Sequence, residues 1–495
     1  MLKSKSGQGS FHEVLWKTLL PADHELLGIR RSFDFSWVDE ELSGYYRESG
    51  PGRPGFAPRS MFLMLFLEMY DHLSDYEVVE RVRRDALYRY FVGFELEDEI
   101  PDHSTLSVFR ERIGEVGFRQ VFNRFVEELE KKGLISHRLK IVDATAVRAD
   151  AELRGRVGIL RQAQRKVKRA MKAADEKKFG NLSKTETEES LMTKEQEEDR
   201  KVIEEETEKL KGLLALARKE FGEEGIKVAE EIEELLFRGG SKAVGSLTDP
   251  DARIGHKTKN DIFYGYKAHT VTNESEIVTS AETIAGNENE KGDIQKLLKE
   301  EEDRGIKGEA ALADSLYASG ENRRVIREEM GMQELIPAVD HGAQAEEFRY
   351  DAHKDVLICK AGKESLSWSP HDRGKMFCFS RYDCEGCKLQ RECVSYSTRE
   401  RRAKLLFSLE RQMNLSHPMP KEEWKKLYKY RVIVERIYGR AKKWHGLGQA
   451  RYRGRWRVAI QVFMTFLVMN AKKALRIKEG LVPIKPPGLA ALGWS

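Results

Sequence analysis

The sequence predicts a mixed α/β fold. Three observations support this. Segments of strand character lie at 138–147, 264–284, 310–313 and 335–339. Amphipathic helical segments separate the later ones. The resulting order, β-(insert)-β-β-α-β-α-β, gives a five-stranded mixed sheet with helices packed on it. Two further segments, 151–240 and 345–415, break that pattern and read as insertions.

The first strand pairs the β-formers Leu139, Ile141 and Val142 with Asp143, Thr145 and Val147, an alternation that buries one face. Tyr266 to Thr272 alternates in the same way, Asn273-Glu274 turns, and a second run follows from Ile277, which makes a hairpin. The stretch 290–304 is an amphipathic helix stopped by Gly305. Residues 310–313 form a short strand that runs into Asp314. The stretch 320–330 is a helix stopped by Gly331, and 335–339 is the last strand.

Helices flank this core. Residues 20–134 read as helical: 59–70 (RSMFLMLFLEMY) is apolar, Ser74 caps the next helix with Glu77 in its first turn, and Pro101-Asp102 opens another over 106–112. Short helices ending in basic ones suggest a helix-turn-helix-like DNA-binding or dimerisation region over 1–135. The insertion at 151–240 segregates its charge, basic over 154–178 and acidic over 186–234. Its apolar positions Val202, Leu210, Leu213, Leu214 and Leu216 favour a helical hairpin or coiled coil. The core would thus comprise 136–150 and 241–344, with two C-terminal helices at 420–444 and 455–476 inside 416–480, and a tail over 481–495.

The net charge of +4 is unevenly spread: 421–476 carries 16 Lys/Arg against 3 Asp/Glu. Trp424, Tyr428, Tyr430, Tyr438, Trp444, Tyr452 and Trp456 are interleaved with these cations. Cations hold phosphate and rings stack on bases, so the segment suits DNA. No apolar run reaches the ~20 residues of a membrane span, and no apolar stretch follows the N-terminal lysines. An intracellular, cytoplasmic protein without membrane attachment is expected.

All five cysteines lie between Cys359 and Cys393. Four have the pattern Cys378-x5-Cys384-x2-Cys387-x5-Cys393, which allows four sulfurs to surround a structural zinc ion. Cys359 and His371 are alternative ligands, and the segment is too polar to build a core of its own. His103, His256, His269 and His341 receive no ligand role.

Three acids stand out by context. Asp143 and Asp314 end strands, and Glu435 sits in the helix YRVIVERIY among Val432, Ile433, Val434 and Ile437, where an unpaired acid is costly. Carboxylates meeting at one point repel unless cations intervene. Two magnesium or manganese ions would relieve that repulsion and serve phosphodiester cleavage.

On these residues the chain resembles the DDE-type insertion-sequence transposases. The motifs are Ile141-Val-Asp143-Ala-Thr145, Ala313-Asp314-Ser-Leu-Tyr317 and Tyr428-x2-Arg431-x3-Glu435-x6-Lys442, the last matching the family's YREK signature. Asp249-Pro-Asp-Ala-Arg253, Gly265-Tyr-Lys267 and Pro101-Asp-His103-Ser-Thr-Leu106 also resemble the group, and the cysteine cluster fits a subgroup. The resemblance implies an RNase H-like catalytic domain in which Asp143, Asp314 and Glu435 bind two Mg²⁺ or Mn²⁺ ions. It implies that Arg431 and Lys442 hold phosphates, that Tyr428 bonds the DNA backbone, and that Arg253 and Lys267 help hold DNA. Some relatives place a Trp directly after the Arg, where this chain has Val432, with Trp368 and Trp444 as possible substitutes.

The implied activity is hydrolysis at element ends followed by strand transfer into target DNA, with a homodimer bringing two ends together. The alternatives are a nuclease of the same fold without strand transfer, and a DNA-binding protein that has lost catalysis.

Overall fold

A computed structural model of the chain describes residues 16–484 except 17, 22, 47–54, 183–199, 239–244, 257–260, 338–347, 352, 372–373, 386, 390–403 and 409–420. The N-terminal region contains the helices α1 (Glu25–Ser32), α2 (Trp37–Glu41), α3 (Pro58–Tyr70), α4 (Asp75–Arg84), α5 (Ala86–Val92) and α6 (His103–Lys131). Pro58 occupies the first turn of α3, where its missing N–H costs nothing. Ser74 and Glu77 form a reciprocal capping box on α4. The Asp102 carboxylate accepts from the Ser104 N–H at 2.8 Å and caps α6. That last helix runs well past the expected end at residue 112. Gly114 permits this by taking φ 63° in a kink that a side chain would resist.

Strand β1 (Leu139–Arg148) opens the central sheet. The first insertion follows as α7 (Arg156–Ala174), α8 (Glu176–Leu182), α9 (Arg200–Glu220) and α10 (Gly222–Glu233). It is a bundle of α7, α9 and α10 around its own core of Leu160, Val167, Leu210, Leu214, Val228 and Ile232, one helix more than a simple hairpin. The corner between α9 and α10 is tight enough that a Cβ at Gly225 would meet the Ala217 carbonyl, so only glycine lets α10 fold back. The segregated charges pair across the bundle, as in Lys166–Glu231 at 2.6 Å and Lys178–Glu220 at 2.9 Å.

The sheet resumes with β2 (Arg253–His256), β3 (Ile262–Asn273) and β4 (Val278–Ala285). Helix α11 (Asp293–Asp303), β5 (Ala310–Leu312), α12 (Gly320–Arg324) and β6 (Gln333–Leu335) complete it. β1 pairs antiparallel with β3, placing Asp143 opposite Thr270, and parallel with β5, which is parallel to β6. β2 and β4 line the far edge of β3, β2 beside its first residues and β4 beside the rest. The order is therefore β4–β3–β1–β5–β6 with β2 as an added strand. This is the RNase H-like arrangement. The last strand begins two residues before the expected start and ends at Leu335.

The two faces of the sheet bury different partners. Val142, Val271, Ala311 and Ala313 pack with Ile294, Leu297 and Leu298 of α11. Ile141, Val147, Tyr266 and Ala268 belong to the main core, together with the N-terminal helices and the last helix. The N-terminal region therefore shares one hydrophobic core with the central sheet, and that core runs across the expected boundary at 135.

The cysteine-bearing insertion contains β7 (Arg349–Asp351), β8 (Val356–Ile358), β9 (Ser367–His371), β10 (Gly374–Cys378), α13 (Arg381–Cys384) and β11 (Lys404–Ser408). Contrary to the sequence expectation it has a small apolar cluster, with Leu357 and Phe377 buried against Phe348, Tyr350 and Phe379. The C-terminal segment is α14 (Lys421–Tyr428), a single 3₁₀ turn (Lys429–Arg431), α15 (Val432–His445) and α16 (Arg455–Lys478). α16 is long and apolar enough to cross a membrane by composition, but 83% of that stretch is buried inside the protein, against α3, α6 and β4.

A buried ionic cluster fastens the N-terminal helices to the loop before α16. Arg110 pairs with Asp75 and lies 3.6 Å from Glu68, while Arg451 (3.2 Å) and the Tyr452 hydroxyl (2.7 Å) reach Glu68 from the other side. Burial and the nearby Asp75 raise the Glu68 carboxyl to about 7. Arg110→Met should cost about 3 kcal/mol, because it takes the Arg110 cation from Asp75 and leaves buried Glu68 with Arg451 alone. Urea denaturation at pH 7.5 measures this.

Candidate active site

Asp143 lies in the middle of β1 and is 9% exposed. Asp314 lies two residues beyond β5, where its Oδ1 accepts from the Leu316 N–H at 2.8 Å and caps a 3₁₀ turn (Ser315–Tyr317). Glu435 stands in the first turn of α15. Its side chain is 60% exposed, so the expectation that it sits at a cost among apolar neighbours is corrected. Ile433, Val434 and Ile437 take the buried side of the helix and leave Glu435 on the open side.

These three acids converge on a single group. Arg431 Nη2 is 3.1 Å from Asp143 Oδ2 and 3.6 Å from Asp314 Oδ2, and its Nη1 is 3.6 Å from Glu435 Oε1. One positive charge thus faces three carboxylates. Burial lifts the Asp143 carboxyl to about 6, with Asp314 and Glu290 pushing the same way and Arg431 opposing. Burial also raises Asp314.

Several contacts hold α15 over the sheet. The buried Tyr438 hydroxyl donates to the Asp143 carbonyl at 2.6 Å and shares a 2.8 Å hydrogen bond with Thr270 Oγ1. The chain after α15 runs beside the end of β1, with Arg148 N–H to Gly448 O at 3.1 Å and Ala450 N–H to Arg148 O at 2.7 Å. Arg436 and Arg440 pair with Glu276 at 3.1 and 2.6 Å. Asp249, fully buried, accepts from the Tyr266 hydroxyl and from the Gly454 N–H, tying β3 to the loop before α16.

Tyr438 was expected only among the rings that stack on bases, and it is instead buried; Tyr317 was expected only as part of a motif, and Glu290 and His269 were given no role. Tyr317 Oη donates to Glu290 Oε2 at 3.0 Å and lies 3.0 Å from His269 Nε2, with the two rings stacked at 5.6 Å. Burial keeps the Tyr317 hydroxyl protonated and lowers His269 to about 4. This cluster packs the turn that carries Asp314. Tyr438 had a sequence signal, since it follows Glu435 by three residues on the same helix, one turn away.

Among the residues expected to hold DNA, Tyr428 is half-buried and its ring stacks on Trp424 at 4.9 Å. Lys442 is partly buried on α15. These two, Arg431 and Glu435 do not share one continuous helix: α14 ends at Tyr428, and a 3₁₀ turn ending at Arg431 precedes α15. Lys267 is turned inward, 2.8 Å from Glu290 and donating to the Glu288 carbonyl. Arg253 donates to the Pro250 and Ala252 carbonyls and lines a cleft of about 230 Å³ with Asp251, Asn287, Glu288, Arg455 and Trp456.

Hard carboxylate oxygens with an anionic excess fit Mg²⁺ or Mn²⁺. Among the described residues, no three His, Cys, Asp or Glu side chains are close enough to share one ion as they stand. Of the cysteines, Cys378 and Cys387 are partly buried free thiols, as is Cys359, whose Sγ accepts the Lys363 N–H at 3.4 Å. Cys384 ends α13, and Cys393 lies outside the described residues, as does His341. Trp368 lies under Lys375 on β9, and Trp444 is 59% exposed on α15.

Comparison with known families follows the same lines. Residues 236–471 match the transposase DDE domain, and residues 14–112 match a transposase domain known as DUF772. The chain belongs to the DDE-type insertion-sequence transposases. Asp314 and Glu435 fall inside the matched DDE span, while Asp143 precedes it, separated by the helical insertion. An uncharacterized protein, ORF8 in the nfe locus of Rhizobium meliloti, is 38% identical over 97 residues. That match covers 19% of this chain and 46% of the relative, so it spans about half of the relative's length. No solved structure matches.

The raised Asp143 carboxyl carries a stability consequence for this transposase. The folded value of about 6 lies above the ordinary aspartate value of 3.8. Ionisation in the fold is therefore penalised as pH rises through that window. Asp143→Asn should be more stable than the parent at pH 7.5, by on the order of 1–3 kcal/mol, and the gain should vanish at pH 4 or below. Thermal unfolding of the metal-free protein across this range checks it.

Proposed function

We propose that this transposase cleaves the phosphodiester at the ends of its element and joins the freed 3′-hydroxyl to target DNA, with Asp143, Asp314 and Glu435 holding two Mg²⁺ or Mn²⁺ ions. The observation that carries this reading is the convergence of three carboxylates, far apart in the chain, on the Arg431 guanidinium. Such a metal pair, when bound, activates the attacking oxygen and stabilises the leaving one. The chain's own residues do the rest. The Tyr438 hydroxyl fixes the backbone that presents Asp143, and the Leu316 N–H orients Asp314. Arg431 and Lys442 bind phosphates beside the scissile bond, and the Tyr428 hydroxyl bonds the DNA backbone. Arg253, in its cleft with Arg455 and Trp456, supports the duplex flank. Lys267 acts indirectly, through Glu290 and the turn that carries Asp314.

The helical N-terminal region and the basic loop before α16 hold the element ends, and two copies of the chain bring two ends together. Activity on DNA places the protein in the cytoplasm with the chromosome. The four cysteines Cys378, Cys384, Cys387 and Cys393 bind a structural zinc ion that closes the second insertion.

Asp143→Asn, Asp314→Asn and Glu435→Gln should each abolish cleavage of end-containing DNA while retaining binding in a gel-shift assay. Pre-cleaved ends should be joined to a target plasmid by the parent protein. Cleavage without joining would replace the proposal by a simple nuclease. Full cleavage by any of the three variants would remove that residue from the catalytic set.

For the cysteines, metal analysis of the purified chain should give about one zinc per chain, lost in Cys387→Ser.

A further inference from the structure

Arg431 holds a position in the carboxylate cluster that phosphate binding alone does not explain. It lies within 3.1 to 3.6 Å of all three acids. Its side chain is 24% exposed, and its Nε is buried without a hydrogen-bond partner. A buried, unpaired donor on a charged group is unfavourable, so the resting arrangement leaves the guanidinium incompletely satisfied. The three acids also do not close into a metal cage as they stand. The guanidinium standing between them accounts for that, since Mg²⁺ requires its ligand oxygens at about 2.0–2.1 Å.

We propose that Arg431 is the resident cation of the active-site pocket, and that it yields the pocket to divalent metal when a DNA phosphate draws its guanidinium away. This rests on the reading that Asp143, Asp314 and Glu435 hold metal. Its physical basis is charge exclusion. A guanidinium and a divalent ion cannot share three carboxylates without strong repulsion. DNA phosphate supplies the alternative partner for which the forked guanidinium is suited. Arg431 is the last residue of the 3₁₀ turn between α14 and α15, so rotation of its side chain moves the charge while the turn and α15 stay in place. By linkage, whatever withdraws Arg431 tightens metal binding, and metal in turn frees Arg431 for phosphate by the same factor. The pocket would then load metal weakly on the free protein and strongly on DNA, which would limit metal-dependent cutting away from a bound end.

The test titrates Mn²⁺ into the full-length, DNA-free chain by calorimetry. Arg431→Gln should bind Mn²⁺ about tenfold more tightly than the parent, with Arg431→Lys between them. Asp314→Asn, run in parallel, should lose the tight binding. Thermal unfolding gives a second readout: metal-free Arg431→Gln should melt below the parent, because three carboxylates lose their cation, and saturating Mn²⁺ should raise its Tm by more than it raises the parent's. Equal or weaker Mn²⁺ binding by Arg431→Gln, with Asp314→Asn still abolishing it, would overturn the proposal and leave the metal site standing. Mn²⁺ binding that is insensitive to Asp314→Asn would overturn both.

Discussion

Three carboxylates held at one point need compensating positive charge, and the active-site end of this molecule is organised around that requirement. Asp143 is nearly buried, Asp314 is half-buried, and Glu435 stands at the open rim. Only Arg431 reaches all three among the described residues. The raised Asp143 carboxyl shows that this single cation does not fully offset the burial. A site in that condition favours incoming cations.

The scaffold keeps this unfavourable arrangement in place by spreading its attachments. Helix α15 is fixed to β1 through Tyr438, to the end of β1 through the Gly448–Ala450 segment, and to the sheet turn through Glu276. The following helix, α16, is buried between the sheet and the N-terminal helices, so the residues around Glu435 are anchored to a shared core. The two insertions stay outside it. The helical bundle has its own core, and the cysteine-bearing segment has a small one. Both interrupt the chain in sequence without interrupting the sheet.

Different parts of the chain were legible in the sequence to different degrees. The hairpin over β3 and β4, the capping box at Ser74 and the strand bearing Asp143 were readable, because local alternation and capping chemistry dictate them. The first insertion was read as a helical hairpin or coiled coil; that α10 folds back against α9 depends on a backbone approach at Gly225 that periodicity does not reveal. The motif that links Tyr428, Arg431, Glu435 and Lys442 by spacing is divided between two helices by the turn at 429–431. Lys267 looked like a DNA contact and is instead paired with Glu290, a carboxylate that no spacing linked to it.

By itself, the sequence determined the order of the five main strands and of the helices between the later ones, the candidacy of the three acids and the concentration of positive charge near the C-terminus. Side-chain period, turn chemistry and composition act locally, and each can be read from neighbours in the chain. Tertiary structure alone decided that Arg431 would stand among the acids, that Tyr438 would hold Asp143 from behind, and that Glu435 would face solvent. Those outcomes depend on groups hundreds of residues apart meeting across β1, and on which burial costs the completed fold can offset with charge and hydrogen bonds.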